Sequence, residues 1–211
     1  MKRYLFSSTK EAPCLAPPRI ITIINEQILS DDWYSLKKYT VDYQRTDGTH
    51  QTFSREVYNK GDGVTVFLYN RAQQSIILTR QFRLPLKIQG DSGVLIETAA
   101  GLLEGEDPIT RIRAEIEEET GYRIQQVSKI FDAWMSPGAV TEKLHFFIAE
   151  YSHHDRINAG GGIFEEGEDI EVLELPFQHA VAMMQRGDIN DAKTIMLLQY
   201  AIINKLLDTV K

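Results

Sequence analysis

Gly101-Leu-Leu-Glu-Gly-Glu-Asp-Pro-Ile-Thr-Arg-Ile-Arg-Ala-Glu115-Ile-Glu-Glu118-Glu119-Thr-Gly121 is the stretch from which the rest of the chain can be read. Pro108 stands where a first helical turn tolerates a missing N–H, and Gly121 where a helix ends, so a helix is expected over 108–120. Residues three and four apart are helical neighbours, which sets Glu115 against Glu118 and Glu119, with Ile109, Ile112 and Ile116 as an adjacent apolar stripe. Each like-charge pair at that spacing costs roughly a few tenths of a kcal/mol. A hard divalent cation offsets the cost, because Mg²⁺ takes carboxylate oxygens and keeps positions for water and phosphate. The plainer alternative is a solvated acidic face with Arg111 and Arg113 as partners. A strand and a glycine-containing loop directly ahead of the helix favour the metal-binding reading.

Working outward, Val94 to Thr98 reads as the strand that runs into Ala99-Ala100-Gly101. Val64 to Tyr69 and Ser75 to Phe82 are further strands, joined by a polar turn. After Gly121, strands are expected at about 124–134 and 143–151, then a Gly-, Asp- and Glu-rich loop at 153–168 and a strand at 169–175. Two helices close the chain at 177–186 and 191–208, the second with Ile195, Leu198, Ile202 and Leu206 at helical spacing. Upstream, the β-branched run Ile20 to Ile28 precedes Trp33 to Tyr43 and Thr52 to Tyr58, which flank Asp47-Gly48 as a hairpin. Residues 1–19, with Pro13, Pro17 and Pro18, show no periodicity and read as an extended arm. The expected organisation is an arm at 1–19, a small antiparallel sheet at 20–59 and an α/β domain with a mixed sheet at 60–211.

Bulk properties narrow the partners. The chain has 211 residues, 43% hydrophobic and 25% charged, the balance of a soluble globular protein. Its formal net charge of -7 argues against a duplex nucleic acid partner, which wants a basic surface. Cys14 is the one cysteine, so no intrachain disulfide can form, and a reducing, cytoplasmic location fits. No stretch reaches transmembrane length, and Lys10 and Glu11 interrupt any signal-peptide core behind Lys2 and Arg3. The five histidines have no zinc-type spacing.

The glutamate helix resembles the Nudix box: Gly, five residues, Glu, seven residues, Arg-Glu, apolar, any, Glu-Glu, any, Gly, apolar. Counted back from Gly121, its acidic positions fall on Glu106, Glu115, Glu118 and Glu119, and its last apolar position on Tyr122. Two places depart. The leading glycine register falls on Ala100, one before Gly101, which leaves Asp107 competing with Glu106. The arginine position holds Ala114, so Arg111 or Arg113 must substitute. Beyond the box, the chain from about Leu29 is similar to the branch of GDP-mannose and ADP-ribose pyrophosphatases. The matching text is Ser54-Arg55-Glu56-Val57-Tyr58, Arg80-Gln81-Phe82-Arg83, Ile96-Glu97-Thr98, Met135-Ser136-Pro137-Gly138, His145 to Tyr151, Ala159 to Gly162 and Glu168 to Glu171.

That resemblance implies an α/β/α Nudix sandwich with an N-terminal sheet that joins or swaps across a homodimer. It implies hydrolysis of a nucleoside diphosphate sugar, GDP-mannose first and ADP-ribose as the rival, with Mg²⁺ or Mn²⁺. Metal ligands carried over are the Ala100 carbonyl, Glu115, Glu119 and Glu168, with Glu118, Glu119 and Glu168 as the catalytic carboxylates. The Gly160-Gly161-Gly162 run suggests a mobile loop that swings a carboxylate inward, with Glu165, Glu166 and Glu168 on offer. Arg55 and Arg83 suit phosphate oxygens. Trp33, Ser54, Glu56, Gly101, Leu102, Glu142, Gly167 and Lys193 match substrate-contacting positions, Trp33 by stacking on the base from the other subunit. A sensing module that binds without cleaving is the rival of another class, and the intact Glu115, Glu118 and Glu119 speak against it.

Overall fold

The structure is a computed structural model that describes residues 20–207, without the Glu166 side chain. The arm expected over 1–19, with Cys14, lies outside the described residues, as does the end of the last expected helix. The chain divides into two compact units, Met1–Tyr58 and Asn59–Lys211.

The first unit holds β1 (Ile21–Asp31), β2 (Ser35–Gln44) and β3 (His50–Asn59, whose last residue lies past the boundary) in the order β1-β2-β3. The Asp47-Gly48 turn closes β2 onto β3: Gly48 takes φ +84°, and Thr49 donates from its N–H (2.9 Å) and its hydroxyl (2.6 Å) to the Asp47 carboxylate. β1 pairs antiparallel with β2 through register shifts at Ile23/Asn25 and Ile28/Ser30. These bulges twist the strand and keep it from alternating cleanly. Ile21, Ile23, Ile24, Ile28 and Leu29 are all exposed. Trp33 lies in the bend before β2 rather than within the strand, and its ring meets Tyr34 edge-on at 6.3 Å.

The second unit is built on one seven-stranded sheet. Its strands are β4 (Gly63–Asn70), β5 (Ser75–Phe82), β6 (Val94–Glu97), β7 (Ala100–Leu102), β8 (Ser128–Trp134), β9 (Lys143–Glu150) and β10 (Glu171–Pro176). The order is β10-β5-β4-β9-β8, with β6 on β5 and β7 on β4. Only β4 and β9 run parallel among these pairs, so the sheet is mixed. β4 is buried along its length and reads as a continuous apolar run, as a strand covered on both faces must. Its Val64, Val66 and Leu68 pack with Ile112, Ile116 and Phe147 beneath α2 (Pro108–Glu115). Its Phe67 and Tyr69 pack with Phe177, Ala180, Leu197 and Leu198 of α3 (Phe177–Arg186) and α4 (Ala192–Asn204) on the other face. The result is an α/β/α sandwich.

Several expected elements shift. A five-residue helix, α1 (Leu84–Ile88), occupies the excursion between β5 and β6 with no buried residue, so no amphipathic stripe announced it. β8 begins at Ser128, four residues late, because Tyr122 bridges Arg156 and Arg123 donates to the Asp155 carbonyl at 2.8 Å. β10 begins at Glu171, since the N–H of Ile170 is already spent on Gly161 O at 3.1 Å. α4 stops at Asn204, where Lys205 turns left-handed. Its buried face is Thr194, Leu197, Leu198 and Ala201, of which only Leu198 was in the expected stripe.

Candidate active site

The glutamate helix is not a single α-helix. Asp107 caps it, accepting from the N–H groups of Ile109 (3.1 Å) and Thr110 (3.0 Å), so its role is the cap and Glu106 stays exposed. α2 runs to Glu115, and Ile116–Thr120 then form one π-helical turn before Gly121 closes the chain at φ +78°. A π turn is rare and concentrates at functional sites. Glu115 and Glu119 both turn inward (4% and 1% exposed), whereas Glu118 is half-buried. Ile112 and Ile116 are fully buried beside them, but Ile109, placed in the same stripe by α-helical spacing, is exposed.

Gly101 makes the burial of Glu115 possible. A Cβ at Gly101 would lie 1.5 Å from Glu115 Oε1, so only glycine lets β7 pass over the carboxylate. The neighbouring Ala100 donates its N–H to Glu119 Oε2 at 3.2 Å. Of the two arginines that could replace the box arginine missing at Ala114, Arg111 is the one beside the box carboxylates. It forms an ion pair with Glu115, lies 3.5 Å from Glu118 Oε2 and donates from Nε to the Leu102 carbonyl at 3.1 Å. Arg113 points elsewhere, to the Gln125 carbonyl.

The glycine run binds the acidic loop to the helix end. Gly161 donates its N–H to Glu119 O (2.9 Å) and Gly162 to Glu118 O (3.0 Å). Gly160 has φ +70°, and a Cβ there would lie 2.5 Å from Glu119 O. Gly160 thus serves close backbone approach, while Gly161 and Gly162 tie the loop to the helix end through their N–H groups. The seam brings Glu168 into the field of Glu115 and Glu119. Glu168 Oε2 accepts from the Ile163 N–H at 2.8 Å, and Gly167 ends the short turn Phe164–Glu166 at φ +77°.

Electrostatically this is an acidic pocket short of cations. Burial pushes the Glu115 carboxyl up to about 7, with Glu118 and Glu168 adding to the rise and Arg111 opposing it. Burial likewise raises Glu119 well above the ordinary carboxylate range, reinforced by Glu115, Glu168 and Glu97. Burial works against the charge of Arg111, yet Glu115 and Glu118 outweigh it and raise its pKa. Among the described residues no three Asp, Glu, His or Cys side chains converge on one point. Glu115 turns to Arg111, Glu119 to Ala100 and Glu168 to Ile163. The donors nevertheless suit a hard cation, being carboxylate oxygens whose mutual repulsion a dication removes.

Arg83, Lys193 and Glu97 form a neighbouring centre. Arg83 follows β5 and donates from Nε to Glu97 Oε1 at 2.7 Å, while Lys193, at the start of α4, pairs with Glu97 Oε2. Glu97 was quoted in the sequence match without a role. Its signal was a charge ending the apolar strand Val94-Leu-Ile, since a buried charge is kept only when paired. Glu142 pairs with Lys60 at 2.7 Å and lies beside Gly63, across from the Gly101 carbonyl. Ser54, Arg55 and Glu56 belong to the first unit, together with Trp33. There Ser54 shares a hydrogen bond with Thr40 (2.9 Å), and the Arg55 guanidinium stacks 4.6 Å above the Phe53 ring. Glu56 is exposed.

A strand–loop–glutamate-helix unit on a mixed sheet between helical layers defines a Nudix-type centre, and the comparisons agree. The NUDIX domain profile matches residues 59–198, and one described as the GDP-mannose pyrophosphatase NudK N-terminal domain matches residues 20–58. The chain belongs to the Nudix family and is a Nudix hydrolase. It is 56% identical over 184 residues to a GDP-mannose pyrophosphatase of Pectobacterium atrosepticum, covering 87% of this chain and 94% of that protein. Proteins of the same name from Shigella flexneri and Escherichia coli O157:H7 are 51% and 50% identical over 189 residues, 89% of this chain and 98% of theirs. The crystal structure of an ADP compounds hydrolase shares the fold at a TM-score of 0.66 and 17% identity, over 88% of this chain and 94% of that one.

Proposed function

We propose that this hydrolase cleaves the diphosphate of a nucleoside diphosphate sugar, with GDP-mannose going to GMP and mannose 1-phosphate. The observation that carries the reading is the glycine seam, which docks the Glu168 loop onto the helix of Glu115 and Glu119 in a chain about half identical to named GDP-mannose pyrophosphatases. Mg²⁺, or Mn²⁺ in its place, would be held by the Ala100 carbonyl and the carboxylates of Glu115, Glu119 and Glu168. Bound there, it neutralises the diphosphate and lowers the pKa of the attacking water. Glu168, the least buried of these carboxylates, takes the water proton, while Glu118 and Glu119 keep the acidic wall in place. Arg83 and Lys193 contact the substrate from the Glu97 side, and Gly101, Leu102, Glu142 and Gly167 line it. Arg55, with Ser54 and Glu56, supplies a second anion contact.

The exposed isoleucines of β1 support a homodimer, because a monomer rarely leaves so contiguous an apolar row in water. In that dimer Trp33 stacks on the base held by the other subunit. A cytoplasmic location fits the single cysteine. Among the described residues no helix is long and apolar enough to cross a membrane.

A turnover screen of GDP-mannose, ADP-ribose and other nucleotide sugars with Mg²⁺, read by product chromatography, tests the substrate. GDP-mannose should lead. An ADP-ribose kcat/KM higher by about a hundredfold, roughly the discrimination of one or two unpaired polar groups, overturns the assignment. Light scattering at micromolar concentration should give twice the 24.1 kDa chain mass. Mixing a Trp33→Ala protein with a Glu119→Gln protein should restore part of the lost activity if sites are composite.

A further inference from the structure

We propose that Glu97 is a positioning residue for substrate binding: it fastens Arg83 and Lys193 side by side as one cationic edge for the anionic groups of a nucleoside diphosphate. The proposal rests on the reading that Arg83 and Lys193 touch the substrate, and goes beyond it by saying what holds them there.

Glu97 is 1% exposed at the end of β6, and both of its oxygens are engaged, Oε1 by Arg83 Nε and Oε2 by Lys193 Nζ. Two cations arriving from the end of β5 and the start of α4 repel one another. A single carboxylate between them converts repulsion into a bridge, and Asp191, 3.1 Å from Lys193 Nζ, is a second counter-ion on the lysine side. Arg83 spends only its Nε on Glu97, and its side chain is 39% exposed against 2% for Glu97 and 12% for Lys193. The open side of the centre is therefore the guanidinium, whose planar fork matches phosphate oxygens. Glu97 raises the Arg83 pKa against the effect of burial, with smaller help from Glu119 and Asp191, so the charge is secure at neutral pH.

Location completes the case. Glu97 stands three residues before Ala100, whose N–H faces Glu119, so the cationic edge borders the acidic pocket. The backbone around it is pinned without Glu97. Asp191 caps α4 by accepting from Thr194 N–H (3.0 Å) and hydroxyl (2.6 Å), and Thr194 Oγ1 accepts from Thr98 N–H at 2.8 Å. Removing the Glu97 charge therefore frees the Arg83 guanidinium and leaves Lys193 to Asp191 alone, while β6 and α4 stay in place.

Steady-state kinetics on the full-length Mg²⁺-loaded enzyme with GDP-mannose test the proposal. Glu97→Gln should raise KM about tenfold to a hundredfold, the scale of one charge-assisted hydrogen bond, with kcat within about threefold. Glu97→Asp, which keeps the charge but is too short to reach both cations, should fall between parent and Glu97→Gln. It also carries the test should Glu97→Gln fail to fold. In a protein already bearing Arg83→Ala and Lys193→Ala, Glu97→Gln should change KM by less than about threefold, because its effect runs through those two side chains. A merely structural Glu97 would lower activity by the same factor in both backgrounds, and that result overturns the proposal, as does a parental KM in Glu97→Gln or Glu97→Asp. If Arg83→Ala and Lys193→Ala themselves leave KM unchanged, the substrate reading of those residues fails and takes the proposal with it.

Discussion

Glu97 and Glu119 are equally buried, yet their surroundings answer that burial in opposite ways. Glu97 meets two cations and is electrically complete. Glu119 meets a backbone N–H and the fields of Glu115 and Glu168. A buried carboxylate matched by cations organises its neighbours. One that faces other carboxylates holds acceptor capacity for an ion the polypeptide does not supply. The difference separates a carboxylate neutralised by neighbouring cations from one that only a bound cation would neutralise.

The comparison breaks most visibly at Glu119. Glu119→Gln should leave circular dichroism unchanged while turnover falls by about two to three orders of magnitude. Without metal, its melting midpoint should equal or exceed that of the parent, since a repelled buried charge is gone. Glu97→Gln should instead lower the midpoint, because the part-buried Arg83 loses its carboxylate and Lys193 keeps only Asp191. Activity within a few-fold of the parent in Glu119→Gln would refute the metal role.

Metal addition sharpens the contrast. At about a hundredfold excess over its Kd, Mg²⁺ should stabilise the parent by about 2.7 kcal/mol, or roughly 5–10 °C in Tm. Calorimetry should show that shift kept in Glu97→Gln and lost in Glu115→Gln. Retention of the full shift in Glu115→Gln would remove that residue from the ligand set.

The smallest expected effect lies at Arg111, the cation paired with Glu115 on the acidic side. Arg111→Ala should lower kcat/KM about tenfold and raise the Mg²⁺ concentration needed for half-maximal rate, the cost of one charge-assisted contact. Arg113→Ala, whose guanidinium serves the Gln125 carbonyl, should stay within about twofold. Equal losses in both would cancel the assignment of Arg111 to the place vacated at Ala114.

Periodicity and breakers carried much of the fold. Pro108 and Gly121 bracket the glutamate helix, Asp47-Gly48 turns the hairpin, and the apolar run of β4 announces a central strand. These signals are local, written in residues a few positions apart. The π turn was invisible because its sequence, Ile-Glu-Glu-Glu-Thr, is acceptable in an α-helix, and what widens it is the burial of Glu119 under Ala100 together with the capture of two carbonyls by the glycine seam. α1 was missed for the converse reason: it buries nothing, so no pattern was needed.

By itself, then, the sequence determined the chemistry available: a helix crowded with carboxylates, a glycine before it, a glycine-rich acidic loop and a family pattern with its arginine missing. Only the tertiary structure decided which groups meet. Arg111 rather than Arg113 faces Glu115 and Glu118, because a guanidinium's direction depends on what packs around its helix. The glycine run became an anchor, because Gly160 to Gly162 lie against the carbonyls of Glu118 and Glu119. Glu97 acquired a role because β5, β6 and α4 converge on it from distant parts of the chain. Spacing along a helix can place neighbours within a turn or two, but a charge balance made across layers exists only once those layers have packed.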